Sequence, residues 1–147
     1  MATVTATVGG ASSNSFATEA EVIAYMATRG NASAWTTIAG ATCTAAEQVA
    51  IIEATRELSA LVWEGKRVDA TQALSWPRQF VINPDDPFGN EYGTTVVPQR
   101  VKDATCELAL QYLKAGTTDL AVPDTSAGVI RKRIGPLETE WASPGMR

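Results

Sequence analysis

Trp63, Arg67, Trp76 and Arg78 fall within one short stretch of the chain. Together they are the parts of a stacking and charge platform for single-stranded bases, because every base offers a π-face to an aromatic ring and every linkage a phosphate to a cation. The same residues have a plainer use. Large aromatics dominate core burial, so Trp63 and Trp76, with Leu74 between them, can fasten a connection to the core. Arg67 and Arg78 are then left for charged contacts with acidic helix faces or across a subunit boundary. A second group, Asp85, Asp86, Asn90 and Glu91, offers oxygen donors of the kind a hard cation prefers. Its spacing lacks the ordered Asp-x-Asp-x-Asp-Gly ladder of an EF-hand loop, so a solvated loop that orders on contact with a partner is the expectation.

Catalytic arrangements are harder to assemble. The chain has no histidine, which removes the commonest general base, the commonest metal ligand and every Ser-His or Cys-His pair. Cys43 and Cys106 stand apart rather than in a Cys-x-x-Cys motif, and are expected as free, buried thiols. Gly9-Gly10 is not followed by the Gly-Lys-Ser/Thr of a phosphate loop. The remaining carboxylates fall on polar helix faces or in one loop. No enzyme activity, cofactor or metal site is therefore expected.

Three helices must position these residues. Thr18 with Glu21, and Thr44 with Glu47, each fit the Ser/Thr-x-x-Glu capping box. The first helix is expected to run to about Arg29 and stop at Gly30, burying Val22, Ile23 and Met26. A connector anchored by Trp35 and Ile38 leads to the second, from Ala45 to Val62 or Trp63, with Ile51, Ala54, Leu58, Leu61 and Val62 as its stripe and Glu53, Arg56 and Glu57 opposite. Val97-Pro98 opens the third, which buries Val101, Ala104, Leu108 and Tyr112, widened by Thr105, Ala109 and Leu110, and ends at Gly116. Gln99, Asp103 and Glu107 make a second stripe on it, read as a solvated face or one turned to a partner or a DNA conduit.

Around the helices the chain is extended. Val4, Ala6 and Val8 alternate with threonines, a strand pattern in need of a partner edge. Phe80, Val81 and Ile82 fit a short strand before the turn-rich segment 83–90. At the far end, residues 129–134 and 137–141 flank Gly135-Pro136 as a hairpin, with Arg131 and Arg133 on one side and Glu138 and Glu140 sharing a side. The expected fold is mainly α: a small helical bundle with a long loop and a C-terminal β-hairpin or extended arm. Its parts are an extended segment 1–15, a helical core 16–118 that includes loop 79–96, and a linker with β arm over 119–147.

Composition sets the outer limits. Hydrophobic residues make up 45% and charged residues 19%, ordinary globular usage for one domain. Net charge is −4, against the basic excess usual where the main task is gripping a phosphate backbone. No apolar run approaches a membrane span, and no signal peptide is read at the N-terminus. An intracellular protein, or one built into a particle assembled inside a cell, is the expectation.

Several segments together carry a family resemblance: Asn14-Ser15-Phe16 with Thr18-x-x-Glu21 and Arg29-Gly30; Trp63-x-Gly-x-Arg67; Gln72-Ala-Leu-Ser-Trp-Pro-Arg78; Val97-Pro98 before an Ala/Leu-rich helix; and Lys132-Arg-Ile-Gly-Pro-Leu-Glu138. Over roughly residues 13–141 the chain resembles short tailed-phage and prophage proteins often labelled DnaT-like single-stranded-DNA-binding, which look like head-tail connector (head completion) adaptors. The alternating Thr/Val N-terminus and the longer acidic loop near Asp85 depart from that pattern. The resemblance implies a virion protein of the neck, assembled in the host cytoplasm. It would form a homo-oligomeric ring, a dodecamer, beneath the portal vertex, extend the DNA channel for genome ejection, and dock a stopper or tail completion protein. It implies no catalytic or cofactor site and no membrane, with DNA passing through unbound. On this reading the portal and oligomer contacts fall to the arm, at Val129, Ile130, Arg131, Lys132, Arg133, Ile134, Leu137 and Trp141. Subunit or tail contacts fall to Arg67, Arg78, Asp85, Asp86 and Phe88. The alternative is a single-stranded-DNA-binding replication protein that uses the Trp/Arg platform.

Overall fold

The computed structural model describes residues 2–116, together with the backbone of 131–134 and 137–140. Its elements are α1 (Glu19–Ala27), α2 (Ala45–Ala60), β1 (Lys66–Arg67), β2 (Arg78–Gln79), α3 (Gln99–Ala115), β3 (Arg131–Ile134) and β4 (Leu137–Glu140). The architecture is a small mainly-α domain, as the sequence predicts. The expected boundary between core and linker lies outside the described residues.

Both capping boxes form. Thr18 accepts from the Glu21 amide while Glu21 reaches back to the Thr18 amide, and Thr44 and Glu47 do the same for α2. Such reciprocal bonds satisfy donors that the first helical turn leaves open. α1 buries Val22, Ile23 and Met26 as expected, but closes at Thr28, whose hydroxyl donates to the Tyr25 carbonyl, before Gly30 is reached. α2 stops at Ala60. Leu61 is extended, so Leu61 and Val62, expected in the buried stripe, are exposed. On α3 the buried line is Val101, Thr105, Cys106, Ala109, Leu110 and Tyr112, with Ala104 and Leu108 only half-buried. Gly116 closes α3 in the left-handed conformation, at φ 68°, where a side chain is disfavoured.

α3 lies against α2 along its length and meets α1 on another side. The larger core joins Val22, Ile23 and Met26 of α1, Ala50, Ile51 and Ala54 of α2, and Cys106, Ala109, Leu110 and Tyr112 of α3, with Trp35 and Cys43 from the connector. Ile38, expected to help anchor that connector, points to solvent. The Gln99–Asp103–Glu107 stripe is not a free acidic face. Gln99 donates to Asp103 at 2.8 Å, and Glu107 accepts from Tyr25 Oη at 2.6 Å and pairs with Arg29, which ties α1 to α3.

The N-terminal segment forms no strand. It folds back on residues 13–15 instead: the Asn14 and Ser15 amides donate to the Thr5 carbonyl at 2.9 and 3.1 Å, and Asn14 Oδ1 accepts from the Thr5 amide at 2.7 Å. Asparagine at 14 thus supplies the partner edge from within the same chain. The C-terminal strands pair antiparallel in a sheet of their own, with Arg131 opposite Glu140, Lys132 opposite Thr139, Arg133 opposite Glu138 and Ile134 opposite Leu137. This is the hairpin the sequence predicts. Val129, Ile130, Trp141 and the turn at 135–136 lie outside the described residues.

Candidate functional site

Between α2 and α3 the chain makes its most elaborate local structure. Gly65 turns it with φ 71°, and β1 pairs with β2, setting Lys66 opposite Gln79 and Arg67 opposite Arg78. A Cβ on residue 65 would lie 2.2 Å from the Gln79 carbonyl oxygen, so both the conformation and the space require glycine here. Trp76 is 4% exposed and precedes a cis bond to Pro77. With Phe16, Val81, Val97 and Val101 it forms a second core, on which Leu58, Trp63, Leu74 and Tyr92 pack. Trp63 and Tyr92 each meet Trp76 edge to face, with centroids 5.6 and 5.8 Å away. The Trp63 indole N–H is taken by the Leu58 carbonyl at 2.9 Å.

Arg78 is spent inside this knot. Its Nε donates to the Glu64 carbonyl at 2.6 Å, Nη1 to Ser75 at 3.1 Å, and Nη2 to Trp63 at 3.2 Å and Gly65 at 2.7 Å. A planar fork of donors suits a ring of converging carbonyls, where a lysine would reach fewer of them. Burial, and then the neighbouring Arg67 charge, push the Arg78 pKa down. Arg67 Nη1 donates to the Gln72 carbonyl at 3.3 Å. Gln72 is itself buried and braces the loop from Leu74 to Pro77. The guanidinium of Arg78, expected to make charged contacts with acidic helix faces or across a subunit boundary, bonds the carbonyls of its own crossover.

Loop 79–96 is not a bare solvated excursion. The Tyr92 amide donates to Val81 and the Asn83 amide to Asn90, each at 2.9 Å, so the segment closes as a small hairpin around the Ile82–Glu91 bridge. Asp86 caps its tip, accepting from the Phe88 amide at 2.7 Å and from Asn90 at 3.2 Å. The Phe88 amide foremost, then Asn90, holds the Asp86 carboxyl below its ordinary value. Asp85 pairs with Arg100 of α3. The acidic residues are thus occupied in shaping a turn, and among the described residues no group of three or more is placed to hold a metal ion. The expected strand at Phe80–Ile82 is broken at its first residue: Phe80 takes φ 63°, and β2 ends at Gln79.

Large apolar side chains reach solvent here beside the charged ones. Phe88 is 87% exposed, Ile82 63% and Phe80 62%, and Val62 is fully exposed. Val62, Trp63, Ile82, Pro84 and Tyr92 line one open groove of about 410 Å³, with Glu64 and Arg100 contributing charge and Pro98 and Val101 marking the N-terminal end of α3. Val62 and Ile82 were read from sequence as part of a buried stripe and of a short strand, and both are exposed. Cys43 and Cys106 are free and buried, and desolvation first of all pushes both thiols up to about 12.

Sequence reasoning also missed Glu47. Beyond its capping role, this buried carboxylate accepts from the Thr36 amide at 2.7 Å, the Thr37 amide at 3.1 Å and both threonine hydroxyls. Burial works to raise its pKa, but the Thr37 hydroxyl and the Thr36, Thr44 and Thr37 amides outweigh it and hold the value at about 2. The surplus of acceptors on a carboxylate over one capping bond is the only signal for this in the sequence, and it does not say which amides converge there.

Fold and site together define a small mainly-α domain whose aromatic–basic crossover is built into its core and whose exposed surface carries an apolar groove. The chain belongs to the family described as "Putative DnaT-like ssDNA binding protein", whose model matches residues 1–147. No curated protein matches it, and no solved structure does. Among the described residues no helix is long and apolar enough to cross a membrane.

Proposed function

We propose that the protein is a non-catalytic structural subunit of a phage particle: a head-tail adaptor that assembles as a ring beneath the portal and docks a stopper or tail component. The observation that carries this reading is the division of labour in the crossover. Arg78 and Trp76 are committed to internal bonds and packing, while Val62, Phe80, Ile82 and Phe88 present large apolar side chains to water. Apolar surface of that kind marks protein contacts. The net charge of −4 fits a channel component that repels duplex phosphates and so does not grip passing DNA. The C-terminal hairpin, whose two strands pair only with each other among the described residues, supplies a means of strand addition to the portal.

Deleting residues 129–147 tests this. Portal attachment and infectious yield should both fall to background; particles that attach tails normally without the arm would rule out its role.

A second reading rests on the family's description, which names single-stranded DNA. Trp63, Tyr92 and Arg100 share the open groove, and aromatic faces beside a cation are the elements of base stacking. Titration of a labelled oligonucleotide separates the two. Salt-dependent binding at micromolar protein, lost in Arg100→Ala, favours the DNA reading; no binding favours the adaptor.

A further inference from the structure

We infer that the groove beside the crossover is an aromatic cage for an organic cation: an arginine or lysine side chain presented by a protein partner. Trp63, Trp76 and Tyr92 all line it. The planes of Trp63 and Tyr92 stand at 79° and 89° to that of Trp76, with centroids 5.6 and 5.8 Å away. The face of each ring is negative and its edge positive, so rings set at right angles around one space can offer π-faces to a cation held there. Val62, Ile82, Pro84 and Pro98 add apolar surface at the sides, which suits the hydrocarbon stem that carries such a cation.

Charge decides the class of occupant. Glu64 is exposed on the groove wall, and among the described residues nothing pairs with its carboxylate. The cations nearby are already matched: Arg100 is paired with Asp85, and Arg78 donates to four backbone carbonyls. What stays open in the groove is one carboxylate and three aromatic rings, a set that favours a cation over a phosphate. Arginine fits it best, because a planar guanidinium stacks on aromatic faces and also bonds a carboxylate. The inference rests on the adaptor reading and names what the docked component presents. Its test uses neither portal nor tail, so failure of one is told from failure of the other.

The probe is a capped Leu-Arg-Leu peptide, set against the same peptide with citrulline, which keeps the shape of arginine and removes its charge. Titrated into the full chain up to about 10 mM, the arginine peptide should shift the indole signals of Trp63 and Trp76 in heteronuclear NMR spectra. Trp35, in the larger core, should not move. Citrulline should weaken binding about fivefold or more. Glu64→Gln, at an exposed position that the fold tolerates, should weaken the arginine peptide about threefold and remove most of its salt dependence. Equal affinity for both peptides would show an apolar groove indifferent to charge, and an unchanged Kd in Glu64→Gln would take the carboxylate out of the site. Shifts with oligothymidylate and none with the arginine peptide would make the groove a base-stacking site. Each of these results would overturn the inference.

Discussion

Trp63 and Trp76 meet edge to face at a centroid distance of 5.6 Å and an interplanar angle of 79°, and the backbone carbonyl of Trp63 is at the same time a hydrogen-bond acceptor for Arg78. One residue thus joins the aromatic core and the guanidinium-centred loop. An edge-to-face pair of this kind adds about 0.5–1.5 kcal/mol beyond the area it buries. Trp76 carries more of the load because Tyr92 meets it from another side. Trp76→Ala should therefore cost about 3–5 kcal/mol, measured by urea titration. An unchanged midpoint would mean that the second core is not needed for folding.

Arg78 makes a separate prediction. It donates to four carbonyls contributed by residues 63, 64, 65 and 75, and among the described residues no carboxylate pairs with it. Arg78→Ala leaves those acceptors to water or to nothing, so a loss of about 2 kcal/mol is expected. Arg78→Lys should recover less than half, since a single ammonium cannot reach all four. If lysine restored full stability, charge rather than the planar fork would be what the site requires.

Acid should act through Glu47 and Glu107. Both carboxyls are held at about 2, the first against burial by the Thr37 hydroxyl and nearby amides, the second by Arg29 and then Tyr25. A depressed folded pKa gives stability that is present above the unfolded value and lost as pH falls through the folded one. Stability should hold above about pH 4.5 and decline from there toward pH 2. For buried Glu47 the full contribution is on the order of 3 kcal/mol. Glu47→Gln should flatten the acid limb of a stability–pH curve and lower the plateau near neutrality. A limb of unchanged steepness in that variant would assign the acid sensitivity elsewhere.

What the sequence made legible was local. Capping boxes at Thr18 and Thr44, proline before α3 and the alternation around Gly135-Pro136 each depend on residues a few positions apart, and each appears in the structure or, for the hairpin, in its backbone pairing. Tertiary choices were not legible. Leu61 and Val62 continue the helical spacing of α2, yet the chain turns extended at Leu61 so that Trp63 can reach the second core. Asp103 and Glu107 look like repelling neighbours until Tyr25 of α1 and Arg29 just beyond it reach Glu107 from about eighty residues away in sequence. In place of the strand pattern at Val4–Val8, the Thr5 amide donates to Asn14 Oδ1. The aromatic–basic crossover was visible as a unit, but only its folded form reveals that Arg78 donates to four carbonyls of its own crossover.

Gly65 offers the sharpest test of that folded form. Its φ of 71° is open to glycine and disfavoured for other residues. Space is a second and stricter demand: an added Cβ would come within 2.2 Å of the Gln79 carbonyl oxygen and 2.7 Å of Val81 Cγ2. The first contact is with backbone of the paired strand, which cannot swing aside as a side chain can. Gly65→Ala must then open the β1–β2 pairing, displace the Gly65 carbonyl from Arg78 and loosen Val81 in the second core. Its cost should exceed the roughly 1 kcal/mol of an ordinary left-handed glycine replacement and approach 3 kcal/mol, since strain and lost bonds add. Gly116→Ala, also at a positive φ but with nothing among the described residues within 4 Å of the added carbon, serves as the control and should lose only the conformational part. Equal melting temperatures for the two variants would show that strand pairing at Gln79 gives way without penalty, and the tight crossover would then not be a fixed feature of the fold.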